Sequence, residues 1–339
     1  MTLRRLFLIV LSAALAGVLP ASAQASWQVT NTFHVGGEGG WDYVTVDAPH
    51  HRFFVTRSTH TQAIDEDSGK VLGDIPGQTR AHGVALVPKL DRGFITDGGG
   101  GGAILVFDLK TYKVLGRITA MPDADGIIYD PGTNLVLVSA GDSNALLTLK
   151  ADVDPASGKL DAPIQLGGSP EFLAADGAGK AYVNIPDQNQ VAVVDLHTRQ
   201  VTARWPVAPG GAPTGMAIDT AHHRLFIGCR KPQQLIVMST ETGKVEAALP
   251  IGAGNDAVQF GDGQAFASCR DGSLTVAGEK AGKFDVLQTV QTAEGARTSG
   301  LDAERHRIFL PAAQFEPSTG GGRPRMKPDT FEIVVVSAQ

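Results

Sequence analysis

Short apolar runs alternate with turns rich in glycine and aspartate along most of the chain, and this pattern repeats. The repeat is 40 to 46 residues long and begins seven times. Its starting positions are Asp42, His82, Asp125, Glu171, Thr214, Asp256 and Arg297. A short apolar segment follows each start, as in residues 44–46 and 84–86, and a turn comes next. Apolar runs this short, bounded by turn residues, predict β-strands.

The second apolar segment of each repeat carries an aromatic residue in six of the seven copies. These residues are Phe54, Phe94, Tyr182, Phe226, Phe266 and Phe309, and Val136 takes the place in the third copy. One large residue at the same place in each repeat predicts packing between neighbouring sheets, because the same gap recurs. A third and a fourth segment follow in each unit, so each repeat is predicted to form a four-stranded antiparallel sheet.

Repeats of this length with four strands predict an all-β fold in which the sheets form the blades of a seven-bladed β-propeller. The last copy has only three strands and ends in residues 330–336. Residues 27–35 could supply its fourth strand, so we expect the N- and C-terminal strands to pair and close the ring.

Several segments resemble the repeat of the YncE-like, YVTN-type propeller family. They are residues 181–184 (AYVN), 190–195 (QVAVVD), 200–201 (QV) and 213–219 (PTGMAID). The resemblance extends from about residue 27 to residue 336, although the third and sixth copies are degraded and residues 312–329 interrupt the seventh. It implies the fold but not the function, because related propellers serve as binding proteins, electron-transfer subunits, lyases and lactonases.

The first residues predict export. Arg4 and Arg5 precede an apolar stretch at residues 6–19 and an Ala-Ser-Ala ending at Ala23, which is the pattern of a signal peptide. We therefore expect a signal peptide at residues 1–23, a single propeller domain at residues 24–339, and a periplasmic or secreted protein. Cleavage would change the formal charge from −6 to −8, which disfavours binding to nucleic acid. No membrane span is expected after cleavage, and we expect a monomer.

The repeat starts form the candidate site, since the residue before each innermost strand should lie at one mouth of the central channel. Four carboxylates and His82 would then converge. Asp42, His82, Asp125, Glu171 and Asp256 offer the donor atoms of a site for Ca²⁺, Mn²⁺ or Zn²⁺. The alternative is a ring of solvated turn residues.

The loops between the second and third strands should reach the same mouth. They carry Arg57, Arg230 and Arg270, which with Arg297 could hold a carboxylate or phosphate, or could only balance the acidic ring. The glycines at 98–102 lack the lysine of a nucleotide-binding loop and are predicted to form a hairpin tip. Cys229 and Cys269 occupy equivalent positions; a disulfide is possible, and catalysis by either thiol is not expected.

The sequence leaves two classes of function open. The first is an exported propeller that binds a small ligand, a metal ion or a protein partner at the channel mouth. The second is a metal-assisted hydrolase, lactonase or lyase that uses the mouth carboxylates and His82. The cofactor, beyond a compatible divalent ion, and the partner are not defined by the sequence.

Overall fold

The computed structural model describes residues 26–317 and 325–339. The segment predicted to direct export lies outside these residues, as does part of the insertion in the last repeat. The described chain is built from β-strands, with short 3-10 turns at Ala48–His50, Pro88–Leu90 and Pro186–Gln188. No helix within it has the length and apolar character of a membrane span.

The strands are numbered in chain order and lie in six antiparallel sheets. The first sheet contains β2 (Val44–Asp47), β3 (Arg52–Asp65), β4 (Val71–Val87), β5 (Arg92–Asp97), β6 (Ala103–Asp108) and β7 (Val114–Thr119). The second contains β8 (Ala124–Asp130), β9 (Leu135–Ala140), β10 (Ala145–Lys150) and β11 (Ile164–Gln165). The third contains β12 (Leu173–Ala175), β13 (Lys180–Ile185), β14 (Gln190–Asp195) and β15 (Gln200–Pro206).

The other three sheets also have four strands each. The fourth contains β16 (Pro213–Asp219), β17 (Arg224–Arg230), β18 (Gln233–Ser239) and β19 (Val245–Pro250). The fifth contains β20 (Asn255–Gly261), β21 (Gln264–Cys269), β22 (Ser273–Lys280) and β23 (Lys283–Gln291). The sixth contains β1 (Trp27–His34), β24 (Gly300–Asp302), β25 (Arg307–Ala312) and β26 (Glu332–Ala338).

The prediction of seven separate blades is wrong, because the strands form six sheets. The first two repeats share one sheet of six strands. Strand β4 pairs with β3 through residues 71–76 and then with β5 through residues 81–87, so its hydrogen bonds run from one repeat into the next. The four-stranded antiparallel arrangement holds in the other five sheets.

Strand β1 forms the outer edge of the sixth sheet, whose other strands come from the last part of the chain. It runs antiparallel to β26, with Trp27 opposite Ala338 and His34 opposite Glu332. The order from the outside inwards is β1, β26, β25, β24.

The core lies between the sheets, where the recurring aromatic residues pack. Phe54, Phe94, Tyr182, Phe226, Phe266 and Phe309 are all buried. Five of them pack between adjacent sheets, as the repeat pattern predicts, whereas Phe54 packs within the first, six-stranded sheet.

A central cavity of about 670 Å³ is bordered by strands β2, β4, β8, β12, β16, β20 and β24 and by Phe172. Repeat-start residues of neighbouring inner strands meet at one end of the channel: the Nδ1 atom of His82, on β4, lies 3.4 Å from Oδ1 of Asp125, on β8. We call this end the polar mouth. The inner strands therefore run in the same direction, and their last residues surround the opposite end.

Candidate functional site

Three of the predicted entry residues meet at the polar mouth. The Nδ1 atom of His82 lies 2.6 Å from Oδ2 of Asp42 and 3.4 Å from Oδ1 of Asp125. One potential metal-binding atom from each residue lies within 4.8 Å of the other two. We call these residues the Asp-His-Asp cluster. The ring arrangement thus joins side chains that are 40 and 43 positions apart in the sequence.

Polar residues of the second strands hold the entry residues in place. The hydroxyl of Thr56 donates to the backbone carbonyl of His82 at 2.7 Å, and Thr96 donates to the carbonyl of Asp125. Asn184 and Ser268 make the equivalent bonds to Thr214 and Arg297.

Sequence reasoning missed these four residues. Each of them follows the recurring aromatic residue by two positions, and this spacing is a signal that could have identified them.

The His82 side chain is buried, and its protonation is set by the two carboxylates. Burial opposes the charged ring, but the hydrogen bond to Asp42 and the charges of Asp125 and Asp42 raise the pKa of His82 to about 9. The other ring nitrogen, Nε2, is buried without a partner in the described chain. A Cβ at Gly98 would lie 2.9 Å from it, so the first glycine of the loop makes room for the ring.

Asp256 occupies the other side of the mouth and is neutralised by two arginines. It forms ion pairs with Arg230 and with Nε of Arg297, the latter at 2.6 Å. Arg297 also donates to the carbonyl of Trp41 at 3.0 Å and lies 3.9 Å from Oδ1 of Asp42. These arginines therefore balance carboxylates, which is one of the two roles that the sequence left open.

The pKa values of the Glu171 and Asp125 carboxyl groups are both raised. Burial, followed by repulsion from Asp256, raises the pKa of Glu171 to about 7. Burial also raises the pKa of Asp125, and the charge of His82 opposes this shift. The mouth thus contains more carboxyl groups than its cations neutralise, so protons or another cation must balance the excess.

Tyr43 is buried beside these groups and was not identified from the sequence. Its ring lies 4.9 Å from that of Phe172, centroid to centroid. Burial and the charges of the surrounding carboxylates, Asp125 first, raise its pKa well above the usual value. Its position directly after Asp42 is the only sequence signal for this role.

Arg57 and Thr214 make contacts that differ from those predicted. Arg57 is fully buried and donates to the carbonyls of Gly36, Glu38 and Gly39, so the structure assigns it to holding that loop rather than to binding an anion. Thr214 is buried, and its hydroxyl donates to the carbonyl of Ala212 at 3.2 Å. Arg270 is exposed on its loop.

Cys229 and Cys269 are both free and fully buried. Burial raises the pKa of each thiol to about 12, which leaves almost no thiolate at neutral pH. We expect neither thiol to react with a disulfide reagent in the native protein, and both to react once the protein is unfolded. Rapid labelling of either cysteine under native conditions would contradict this burial.

Comparisons with known proteins identify the fold. No protein-family model matches the sequence, and no curated protein matches it. Kuenenia stuttgartiensis hydrazine synthase has a TM-score of 0.69 and 12% sequence identity over 82% of this chain and 94% of that chain. The WD40 β-propeller domain of Doa1 has a TM-score of 0.71 and 12% identity over 92% of this chain and 97% of that domain.

The chain is a β-propeller. Proteins with this architecture commonly act as scaffolds for protein binding. Identities of 12% establish the architecture alone, and the chemistry must be argued from the side chains of the propeller.

Proposed function

We propose that the propeller binds a divalent metal ion at its polar mouth through Asp42, His82 and Asp125. The observation that carries this proposal is the convergence of three donor atoms within 4.8 Å of one another. Oδ1 of Asp125 and Nε2 of His82 are moreover buried without a hydrogen-bond partner in the described chain. Buried polar atoms are usually satisfied, so unsatisfied ones beside a donor cluster favour a bound ligand.

The electrostatics of the mouth favour a cation. The raised pKa values of His82 and Glu171 mean that protons supply part of the balancing charge. A metal ion can replace these protons, with His82 losing its own proton when it becomes a ligand. A donor set of one imidazole and two carboxylates suits Zn²⁺ or Mn²⁺ better than Ca²⁺, which prefers oxygen ligands.

Titration calorimetry with Zn²⁺ and Mn²⁺ tests this proposal. Asp42→Asn, His82→Gln and Asp125→Asn should each weaken binding by at least about tenfold, because each removes one ligand. Asp123→Asn is the matched control, since it removes the same charge at the same mouth from a carboxylate that pairs with Arg80 instead. Absence of binding in the wild-type protein, or equal losses in Asp123→Asn and Asp125→Asn, would exclude a site at the cluster.

A metal-assisted hydrolase, lactonase or lyase is the second candidate. The hydrogen bond that Nδ1 of His82 donates to Asp42 favours it, because a carboxylate in that position fixes the ring and leaves Nε2 for proton transfer. A metal ion at the mouth would polarise a carbonyl group. Turnover in a panel of lactones and esters that is lost with chelator and restored by metal would support this function.

We also propose that the protein belongs to the YncE-like family and acts in the periplasm or outside the cell. The YVN-type repeat at residues 181–184 and the apolar stretch after Arg5 support these two proposals. We further infer that the pairing of β1 with β26 closes the ring of sheets. A small molecule or protein could then bind over the mouth.

A further inference from the structure

The second site that we infer is the central cavity below Tyr43, at the end of the channel opposite the polar mouth. Apolar side chains make up most of its wall, including Ile218 and Leu301. None of the residues of the Asp-His-Asp cluster lines it. Phe172 does line it and packs against Tyr43, which in turn interacts with the carboxylates of the polar mouth.

Several polar side chains of the cavity wall already use a donor within the protein. The hydroxyl of Thr45 donates to the carbonyl of Val84 at 2.7 Å, and the amide of Gln259 donates to the carbonyl of Ser299 at 2.7 Å. The hydroxyl of Tyr129 donates to Asn134 at 3.1 Å. With these donors engaged within the protein, the remaining lone pairs favour a ligand that donates hydrogen bonds.

The charged side chains that the structure describes in the cavity wall are all acidic. Asp130 and Asp176 line the cavity, and no described lysine, arginine or histidine does. Asp130 is fully buried; its Oδ2 atom accepts from the backbone amide and hydroxyl of Thr133, but Oδ1 has no partner in the described chain. A buried carboxylate oxygen without a donor is costly, and a cationic donor would satisfy it.

Aromatic rings in the cavity wall also favour a cationic ligand. Tyr129 of β8, Phe260 of β20 and Phe172, which directly precedes β12, all line the cavity. Aromatic faces attract organic cations, most strongly where water is excluded. The apolar wall would at the same time bury the hydrocarbon part of such a ligand.

We propose that this cavity binds an organic monocation, namely a primary ammonium group attached to an aromatic or alkyl body. The ammonium group lies towards the unpartnered Oδ1 atom of Asp130, and the hydrocarbon body packs beside Phe172 and Phe260. The volume of about 670 Å³ accommodates a small molecule. This site is independent of the proposed metal centre and shares no residue with it.

Three ligands with the same skeleton test the proposal by titration calorimetry: 4-phenylbutylamine, 4-phenylbutan-1-ol and 4-phenylbutyrate. The amine should bind about tenfold more tightly than the alcohol, because it adds a charge-assisted hydrogen bond. The carboxylate should not bind in the same concentration range. Equal affinity for the amine and the carboxylate, or no binding of the amine to the wild-type protein, would overturn the proposal.

Two substitutions locate the site. Asp130→Asn should weaken binding of the amine about tenfold and leave binding of the alcohol nearly unchanged. Thr220→Lys places a positive charge at the exposed rim and should have the same selective effect. If circular dichroism shows that Asp130→Asn does not fold, the effect of Thr220→Lys on binding of the amine and the alcohol tests the location of the site.

Three control variants separate the site from general electrostatics. Asp285→Asn removes an exposed negative charge from the outer strand β23. Asp123→Asn removes a partly buried negative charge at the polar mouth. Thr220→Gln changes the rim without adding charge. All three should bind the amine like the wild-type protein; a loss in Asp123→Asn equal to that in Asp130→Asn would place the amine at the polar mouth and overturn the proposal.

Discussion

Trp27→Ala should lower the free energy of unfolding by about 4 kcal/mol, in the range for deletion of a buried tryptophan side chain. Trp27 is 2% exposed and packs edge to face on Phe266 of the neighbouring sheet, with 4.7 Å between ring centroids. Its indole nitrogen donates to Gln264 at 2.8 Å, and its backbone exchanges hydrogen bonds with Gln288. The substitution leaves a cavity and removes the partner of Gln264 between two sheets.

Chemical denaturation followed by circular dichroism measures this loss. Val29→Ala is the matched control on the same strand, because Val29 is 43% exposed; it should change stability by less than about 0.5 kcal/mol. If Trp27→Ala destabilises the protein as little as Val29→Ala does, the packing of β1 on the neighbouring sheet contributes little to stability.

Stability should fall as the pH rises from about 4.5 to about 8, and Glu66→Gln should remove much of this fall. The side chain of Glu66 is fully buried beside Asp302 at the end of the channel opposite the polar mouth, and its Oε2 atom accepts from Arg305 at 3.3 Å. Burial, followed by the contact with Asp302, raises the pKa of Glu66 to about 8.

The raised pKa of Glu66 determines the direction in which stability changes with pH. The folded protein keeps the proton of Glu66, whereas the unfolded chain releases it above its ordinary pKa of 4.5. The stability contribution is therefore fully present below pH 4.5 and is lost as the pH rises through about 8, by a few kcal/mol. Glutamine keeps the hydrogen-bonding shape without an ionisable proton.

Denaturation at pH 5 and at pH 8.5 tests this expectation. Glu66→Gln should be more stable than the wild-type protein at pH 8.5 and similar to it at pH 5. Glu279→Gln is the control, because its carboxylate is 49% exposed and pairs with Arg224 on the surface. Parallel pH profiles for the wild-type protein and Glu66→Gln would place the titrating group elsewhere.

The repeat allowed much of the architecture to be predicted. The aromatic residues that recur at one position in six of the repeats are all buried, and five of the six pack between neighbouring sheets. The number of sheets was predicted wrongly, because the sequence repeat does not reveal that β4 keeps its hydrogen bonds from one repeat into the next. Backbone pairing can cross the boundary of a repeat when no turn interrupts the strand.

The candidate site was predicted in part. The sequence placed Asp42, His82 and Asp125 at equivalent positions, and the structure brings them into contact. It could not predict that Arg57 turns inwards, lies under Phe331 and bonds to a loop, since residues of the same type at equivalent positions face different neighbours. The acceptor-lined cavity was also missed, because its character depends on which donors are already engaged.

The sequence by itself determined the β-strands, their repeat and the positions that begin each inner strand, because alternation of apolar and turn residues is a local property of the chain. Only the tertiary structure decided which carboxylates meet His82, which are neutralised by Arg230 and Arg297, and which oxygen atoms remain without partners. Those outcomes depend on distances and burial between residues that are 26 to 43 positions apart in the sequence, and charge interactions change steeply with both.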